Sequence, residues 1–336
     1  MIKRFVLILA VLFTIAFSGC SGNVSHENGS EASESSRDAE ISDNSSASEN
    51  PESSFSFTDD LGRKVTVDSP KRVAALLGSF AEIWYLAGGE VIAAPDDAWE
   101  DLDLPLSDKA VNLGKINELS LEMLFSSEPD LVIASSNIRV DLEWLDTLEN
   151  TNITAAYFDV SDFEDYLRML KICTEITGRE DLYQKNGAEI QSQIDNVIGQ
   201  SRKRVEEKGA PTVLSLRASS SSVRAKGSEG NVLGEMLAAL GCVNIADSES
   251  SLLEDLSIEY IIKCDPDYIF FVQIGDNAEK AKEKIEAFIS ENPAWDQLTA
   301  VKEGRVFYMD KALYNNKPNS RWGEAYEGLE KILSEY

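Results

Sequence analysis

The sequence predicts an α/β protein. Two Rossmann-like lobes, each a mostly parallel sheet flanked by helices, are joined by a single long α-helix. Three observations carry this. From Phe55 onward, short apolar runs alternate with amphipathic stretches, the pattern of βα units on a parallel sheet. The alternation occurs twice: Val73–Leu77, Val91–Ala94, Leu131–Ala134 and Ala155–Phe158 in the first half, then Val213–Leu216, Val243–Ala246, Tyr268–Val272 and Val306–Met309 in the second. Between the halves, Leu182, Ile190, Ile194, Val197 and Ile198 fall on one face at helical spacing.

The chain opens on an address. Lys3 and Arg4 precede the apolar stretch Phe5–Phe17, and small residues lead to Cys20. This is the layout of a secretory signal, residues 1–19, and the apolar run is too short to span a bilayer. The F-S-G-C ending resembles the lipobox of bacterial lipoproteins, which implies a lipidated Cys20 as the new N-terminus. Ordinary signal cleavage or an uncleaved anchor are the alternatives. Residues 20–54 then read as a disordered acidic tether. Residues 21–54 hold eight carboxylates against one basic side chain, Arg37, and have too little to bury to offset ordering entropy. His26, the only histidine, lies there.

The N-terminal lobe is read as 55–160, the helical connector as 161–209 and the C-terminal lobe as 210–336. Gly178 is expected to break the connector, and a helix over Glu180–Lys208 would run roughly 40 Å at 1.5 Å per residue. An internal repeat relates the lobes. Leu119–Ser135 (LSLEMLFSSEPDLVIAS) matches Leu256–Val272 (LSIEYIIKCDPDYIFFV) at an offset of 137, with Leu, Ser, Glu, Pro and Asp coinciding. In each copy a Ser can cap a helix that a carboxylate-Pro-Asp turn ends. A second echo pairs Glu82–Gly89 with Glu235–Cys242, each Glu standing six residues before a glycine suited to ending a helix.

Composition excludes several classes. There are 31 Lys and Arg against 59 Asp and Glu, a formal charge of −28. A phosphate-neutralising nucleic-acid binder is therefore not expected. With no histidine in the body, Ser-His-Asp and Cys-His catalysis, imidazole-based metal sites and His-ligated haem drop out. No P-loop, G-x-S-x-G or G-x-G-x-x-G stands at a strand–helix junction, so no enzyme and no resident cofactor or metal is expected. Cys173, Cys242 and Cys264 are read as buried free thiols, with a Cys242–Cys264 bridge as the alternative.

Several segments together resemble the substrate-binding proteins of ABC importers, in the group serving iron chelates, haem and cobalamin. These are FTDDLGRKVTV followed by PKRVAAL, the two repeats ending in Pro-Asp and a strand, ITGRED before the long helix, and NPAWDQLTAVKEGRVFYMD near the end. The likeness covers about residues 55–336. It implies a lipid-anchored, extracytoplasmic, monomeric receptor that captures an iron-siderophore-type metal chelate in a ligand cleft between the two lobes. The receptor would deliver it to a permease dimer with its ATPase. Cobalamin or haem, or a surface adhesin or sensor, are the alternatives.

Ligands of such folds sit beyond the C-terminal ends of the strands. The loops there offer Ser79, Trp99, Arg217, Ser219, Arg224, Tyr314, Arg321 and Trp322. Guanidinium forks and aromatic rings suit an anionic or carboxylate-bearing chelate, and the resemblance favours Trp99, Arg217, Arg224, Tyr314 and Arg321 as contacts. Each also has a plainer reading. Trp99, Tyr314 and Trp322 could be packing aromatics, Arg224 with Lys226 a solvated turn, and Arg321 the partner of an acidic neighbour. Tyr-ligated haem stays open through Tyr85 or Tyr314. The resemblance further implies one exposed carboxylate per lobe for permease docking, assigned to Glu82 and Glu235, whose alternative role is stabilising a helix N-terminus.

Overall fold

The computed structural model describes residues 54–151, 153–248, 253, 257–275 and 277–335. The expected signal segment, Cys20, and the tether up to residue 53 lie outside the described residues. An antiparallel hairpin opens the body, β1 (Phe55–Thr58) on β2 (Lys64–Val67). The first sheet is all parallel, in the order β5-β4-β3-β6-β7. Its strands are β3 (Val73–Ala75), β4 (Val91–Ala94), β5 (Val111–Asn112), β6 (Leu131–Ser135) and β7 (Thr154–Phe158).

The second sheet runs β10-β8-β11-β12 in parallel, with β9 antiparallel to β8. Here β8 is Thr212–Ala218, β9 Val223–Lys226, β10 Val243–Asn244, β11 Tyr268–Gln273 and β12 Val306–Met309. The segment after Leu216, expected as a loop, is therefore a hairpin. Its turn carries a run of serines instead of the Gly or Asn that usually marks one.

The repeat is structural. Ser120 and Ser257 each accept the backbone N–H three residues on, from Met123 and Tyr260. Asp130 then accepts the N–H groups of Lys71 and Arg72 just before β3. Asp267 likewise accepts both the N–H and the hydroxyl of Thr212, where β8 starts. The same carboxylate thus ties a neighbouring strand in each lobe.

The connector is made of the helix Phe163–Thr177, Gly178 in the left-handed region (φ 71°), and a further run from Glu180 to Lys208. Only glycine adopts that φ without a Cβ penalty. The second run is not uniformly α-helical, since Gln184–Ala188 forms one π turn before the helix Glu189–Lys208. The C-terminal helix Trp322–Glu335 packs along it. One apolar cluster runs through both lobes, from Val73, Phe80 and Trp84 through Ile194 and Val197 to Phe270, Trp322 and Leu329. Close-packed interiors resist shear, so the two sheets share a core instead of hanging on a flexible hinge.

Candidate functional site

A cleft of about 450 Å³ lies between the sheets. Its walls are the loops after β4 (Asp96, Asp97, Asp101), β5 (Lys115–Glu118), β11 (Gly275) and β12 (Lys311, Asn315, Asn316). All four loops follow C-terminal strand ends, where a doubly wound sheet exposes its binding crevice.

Asp97 anchors the N-terminal side. Its carboxylate accepts the N–H of Gly78 (3.1 Å), at the start of the helix Gly78–Leu86. A Cβ on Gly78 would sit 2.7 Å from that carboxylate, so the approach needs glycine. Burial pushes the Asp97 carboxyl up to about 6 against the Gly78 bond; Asp101 and Asp96 add to the rise and Lys311 opposes it.

The second sheet carries a cationic group. Arg217, near the end of β8, stands directly across from Arg224 on β9, with Lys226 two residues further along the same strand. Directly opposed and i+2 positions share a sheet face, so three cations crowd together. Burial lowers the Arg217 pKa, and burial with Arg217 and Arg224 lowers that of Lys226. Lys317 joins them. Its ammonium is pushed down mainly by burial; Asp159 and Asp97 of the first lobe pull it up, and Arg217 pushes it further down. Lys317 therefore lies in the field of both the cationic hairpin and the cleft. None of Arg217, Arg224, Lys226 or Lys317 forms an ion pair among the described residues. Like charges held together without counter-charge cost stability.

The other assigned residues are placed as follows. Trp322 is fully buried and meets Phe163 edge-on, and the buried Tyr314 hydroxyl donates to the Ala325 carbonyl; both are packing residues. Burial pushes the Tyr314 hydroxyl up to about 12. Arg321 is exposed and paired with Glu324 (2.7 Å). Ser79 is buried and its carbonyl accepts from Asn319. Trp99 is half-buried against the shared core, and the Ser219 hydroxyl accepts from the N–H groups of Ser221 and Ser222 within the hairpin turn. The three body cysteines are free, without a Cys242–Cys264 bridge, and burial raises Cys173 and Cys242 to about 12.

Glu82 and Glu235 are not free carboxylates either. Glu82 accepts from the Asn319 amide (2.6 Å), and Glu235 accepts the Gly230 N–H (2.9 Å). The paired carboxylates that do stand exposed, one per lobe, are Glu122 and Glu259 of the longer repeat, each in the first turn behind its capping serine.

Comparison with known proteins agrees with this architecture. The sequence pattern of the periplasmic binding protein family matches residues 73–313. The Fe(3+)-citrate-binding protein YfmC of Bacillus subtilis is 28% identical over 316 residues, covering 91% of this chain and 88% of that one. YhfQ of the same organism, whose name places it among ABC transporter substrate-binding lipoproteins, is 24% identical over 350 residues, 99% of this chain and 96% of that one. Staphylococcus aureus SirA, solved with staphyloferrin B, superposes with a TM-score of 0.66 at 19% identity over 83% of this chain and 98% of its own. A family pattern spanning most of the body, and a fold with two parallel sheets around one cleft, lead to one conclusion: the chain belongs to the periplasmic binding protein family.

Proposed function

We propose that the chain is the extracytoplasmic substrate-binding protein of an ABC importer and captures an anionic iron chelate of the siderophore or citrate type. The observation that carries this reading is the group of four cations, Arg217, Arg224, Lys226 and Lys317, without ion-pair partners among the described residues, the last of them in the field of the cleft carboxylate Asp97, on a chain whose formal charge is −28. An acidic protein that concentrates uncompensated positive charge at one place is built to receive carboxylates or similar oxygens. The similarity to YfmC, named for ferric citrate, supports the same class. No bond is made or broken in this role, and the chelate brings its own iron ligands. The lipobox-like segment at Cys20 and the lipoprotein name of YhfQ support a lipid anchor. The receptor is read as a monomer handing its cargo to a permease dimer driven by an ATPase.

Tryptophan fluorescence of residues 55–336, titrated with ferric citrate, a neutral ferric hydroxamate, cobalamin and haemin, tests the ligand class. Saturable quenching by ferric citrate, with weaker or no response to the other three compounds, is the expected result. Preference for cobalamin or haemin, or silence towards all four by folded protein, overturns the assignment.

Docking is assigned to Glu122 and Glu259. Two exposed carboxylates at equivalent places on the two lobes can fix a receptor's orientation on a symmetric basic partner. Reversing both charges, Glu122→Arg with Glu259→Arg, is expected to abolish chelate uptake by cells without changing chelate affinity in solution. Uptake at the wild-type rate would show that the permease reads another surface.

A further inference from the structure

Lys311 sits at the mouth of the cleft, and its ammonium is not free. Nζ lies 2.7 Å from Oδ2 of Asp101, which belongs to the other lobe. Both side chains are partly exposed, at 27% and 37%. The two come from loops following β12 and β4, and both line the cleft. Lys311 also acts electrostatically on Asp97. The cleft wall holds four carboxylates, Asp96, Asp97, Asp101 and Glu118, against two lysines, Lys115 and Lys311. An anionic ligand entering by this route meets repulsion from Asp101 and a cation that Asp101 already occupies.

We propose that Lys311 is a ligand-contacting residue masked by Asp101: a carboxylate of the incoming chelate replaces the Asp101 carboxylate on Nζ. This rests on the anionic-chelate reading above. Exposed ion pairs are weak, shifting an equilibrium by up to about fivefold. A polyanionic chelate also engaged by Arg217 and Lys317 can therefore displace Asp101 at small cost. Asp101 would then act as a built-in competitor, lowering affinity for weakly charged anions more than for the chelate. Exchange of one carboxylate for another keeps the lysine's charge compensated in both states, which an empty cleft otherwise would not.

Exchange and a simple strap between lobes predict different signs. Under exchange, removing the cation and removing the competitor act in opposite directions; under a strap, either change breaks the same bridge and both act alike. The experiment is titration of ferric citrate into the wild type, Lys311→Met, Asp101→Asn, Asp96→Asn and the Lys311→Met/Asp101→Asn double variant, with thermal melts confirming that each is folded. Asp96 shares the cleft and the charge but has no bond to Lys311, so Asp96→Asn measures the general effect of removing one negative charge.

The expected result is binding weakened about tenfold in Lys311→Met, as for loss of one charge-assisted hydrogen bond. Asp101→Asn is expected to bind several-fold more tightly than Asp96→Asn, with the excess gone in the double variant. The same direction of change in Lys311→Met and Asp101→Asn would overturn the proposal in favour of a strap. Equal effects of Asp101→Asn and Asp96→Asn would overturn it in favour of bulk charge. A folded wild type that binds no ferric citrate would instead sink the chelate reading and carry this proposal with it.

Discussion

Arg217→Ala is expected to weaken ferric citrate binding by roughly 10- to 100-fold while leaving thermal stability unchanged or raised. In most proteins, deleting a half-buried arginine lowers both. Here the guanidinium has no carboxylate partner among the described residues, faces Arg224 across the hairpin, and is desolvated enough to lower its pKa. Without ligand, Arg217 is a cost to the fold: a charge taken from water and set against other cations. Its removal orphans no partner. With ligand bound, the same side chain can make two parallel N–H···O bonds to one carboxylate, each stronger than a neutral hydrogen bond.

Arg321→Ala is the contrasting case. That guanidinium is exposed and satisfied by Glu324, so its loss should alter neither affinity nor melting temperature appreciably. Parallel titrations and melts of the two variants check this. A destabilised Arg217→Ala with wild-type affinity would make Arg217 a structural residue and remove the main support for the ligand class.

Arg217 was legible in the sequence because cations are scarce in an acidic chain, and a loop holding Arg217, Arg224 and Lys226 stands out. Their pairing on opposite strands was not, since four consecutive serines mark a loop without the Gly or Asn that signals a tight hairpin turn. Lys317 was harder to find: a lysine after two asparagines reads as a solvated loop, and only tertiary packing desolvates it. The burial of Trp322 and Tyr314 was missed for another reason. Trp322, Ala325, Tyr326, Leu329 and Leu333 mark the buried face of one helix, and that spacing was present in the sequence as a signal of core. Placing Trp322 and Tyr314 near strand ends hid it.

The carboxylates give a similar lesson. The repeats offered two pairs, and nothing local separated Glu82 and Glu235 from Glu122 and Glu259. Asn319, which bonds to Glu82 from far along the chain, occupies that carboxylate, and no single sequence reports such a contact. The sheets, by contrast, were legible throughout, since apolar runs, serine caps and Pro-Asp turns all point the same way. Only the short β5 and the hairpin strand β9 escaped.

The largest effect on stability is expected far from the cleft, in Glu330→Ala. Arg204 on the connector and Glu330 on the C-terminal helix form a buried ion pair, 8% and 9% exposed, with Nε–Oε1 at 3.1 Å. The guanidinium also donates to the Ser201 hydroxyl (2.8 Å) and to the Leu240 carbonyl (2.9 Å), at the end of the helix Val232–Ala239. Three elements thus meet on one side chain. Removing Glu330 leaves the cation buried with neutral acceptors only, at a cost of ~3–5 kcal/mol. For a body of this size that corresponds to a fall in melting temperature of about 10 °C. Arg204→Met with Glu330→Met should recover most of the loss, because the penalty comes from the stranded charge and not from the missing attraction. A double variant as unstable as Glu330→Ala would refute that account and show that the pair itself holds the helices together. Ferric citrate affinity below the melting transition should be unchanged in both variants, since the pair touches no residue of the cleft. Loss of affinity in a still-folded Glu330→Ala would mean that the packing of connector against C-terminal helix sets the spacing of the two lobes, and with it the reach between Arg217 and the cleft.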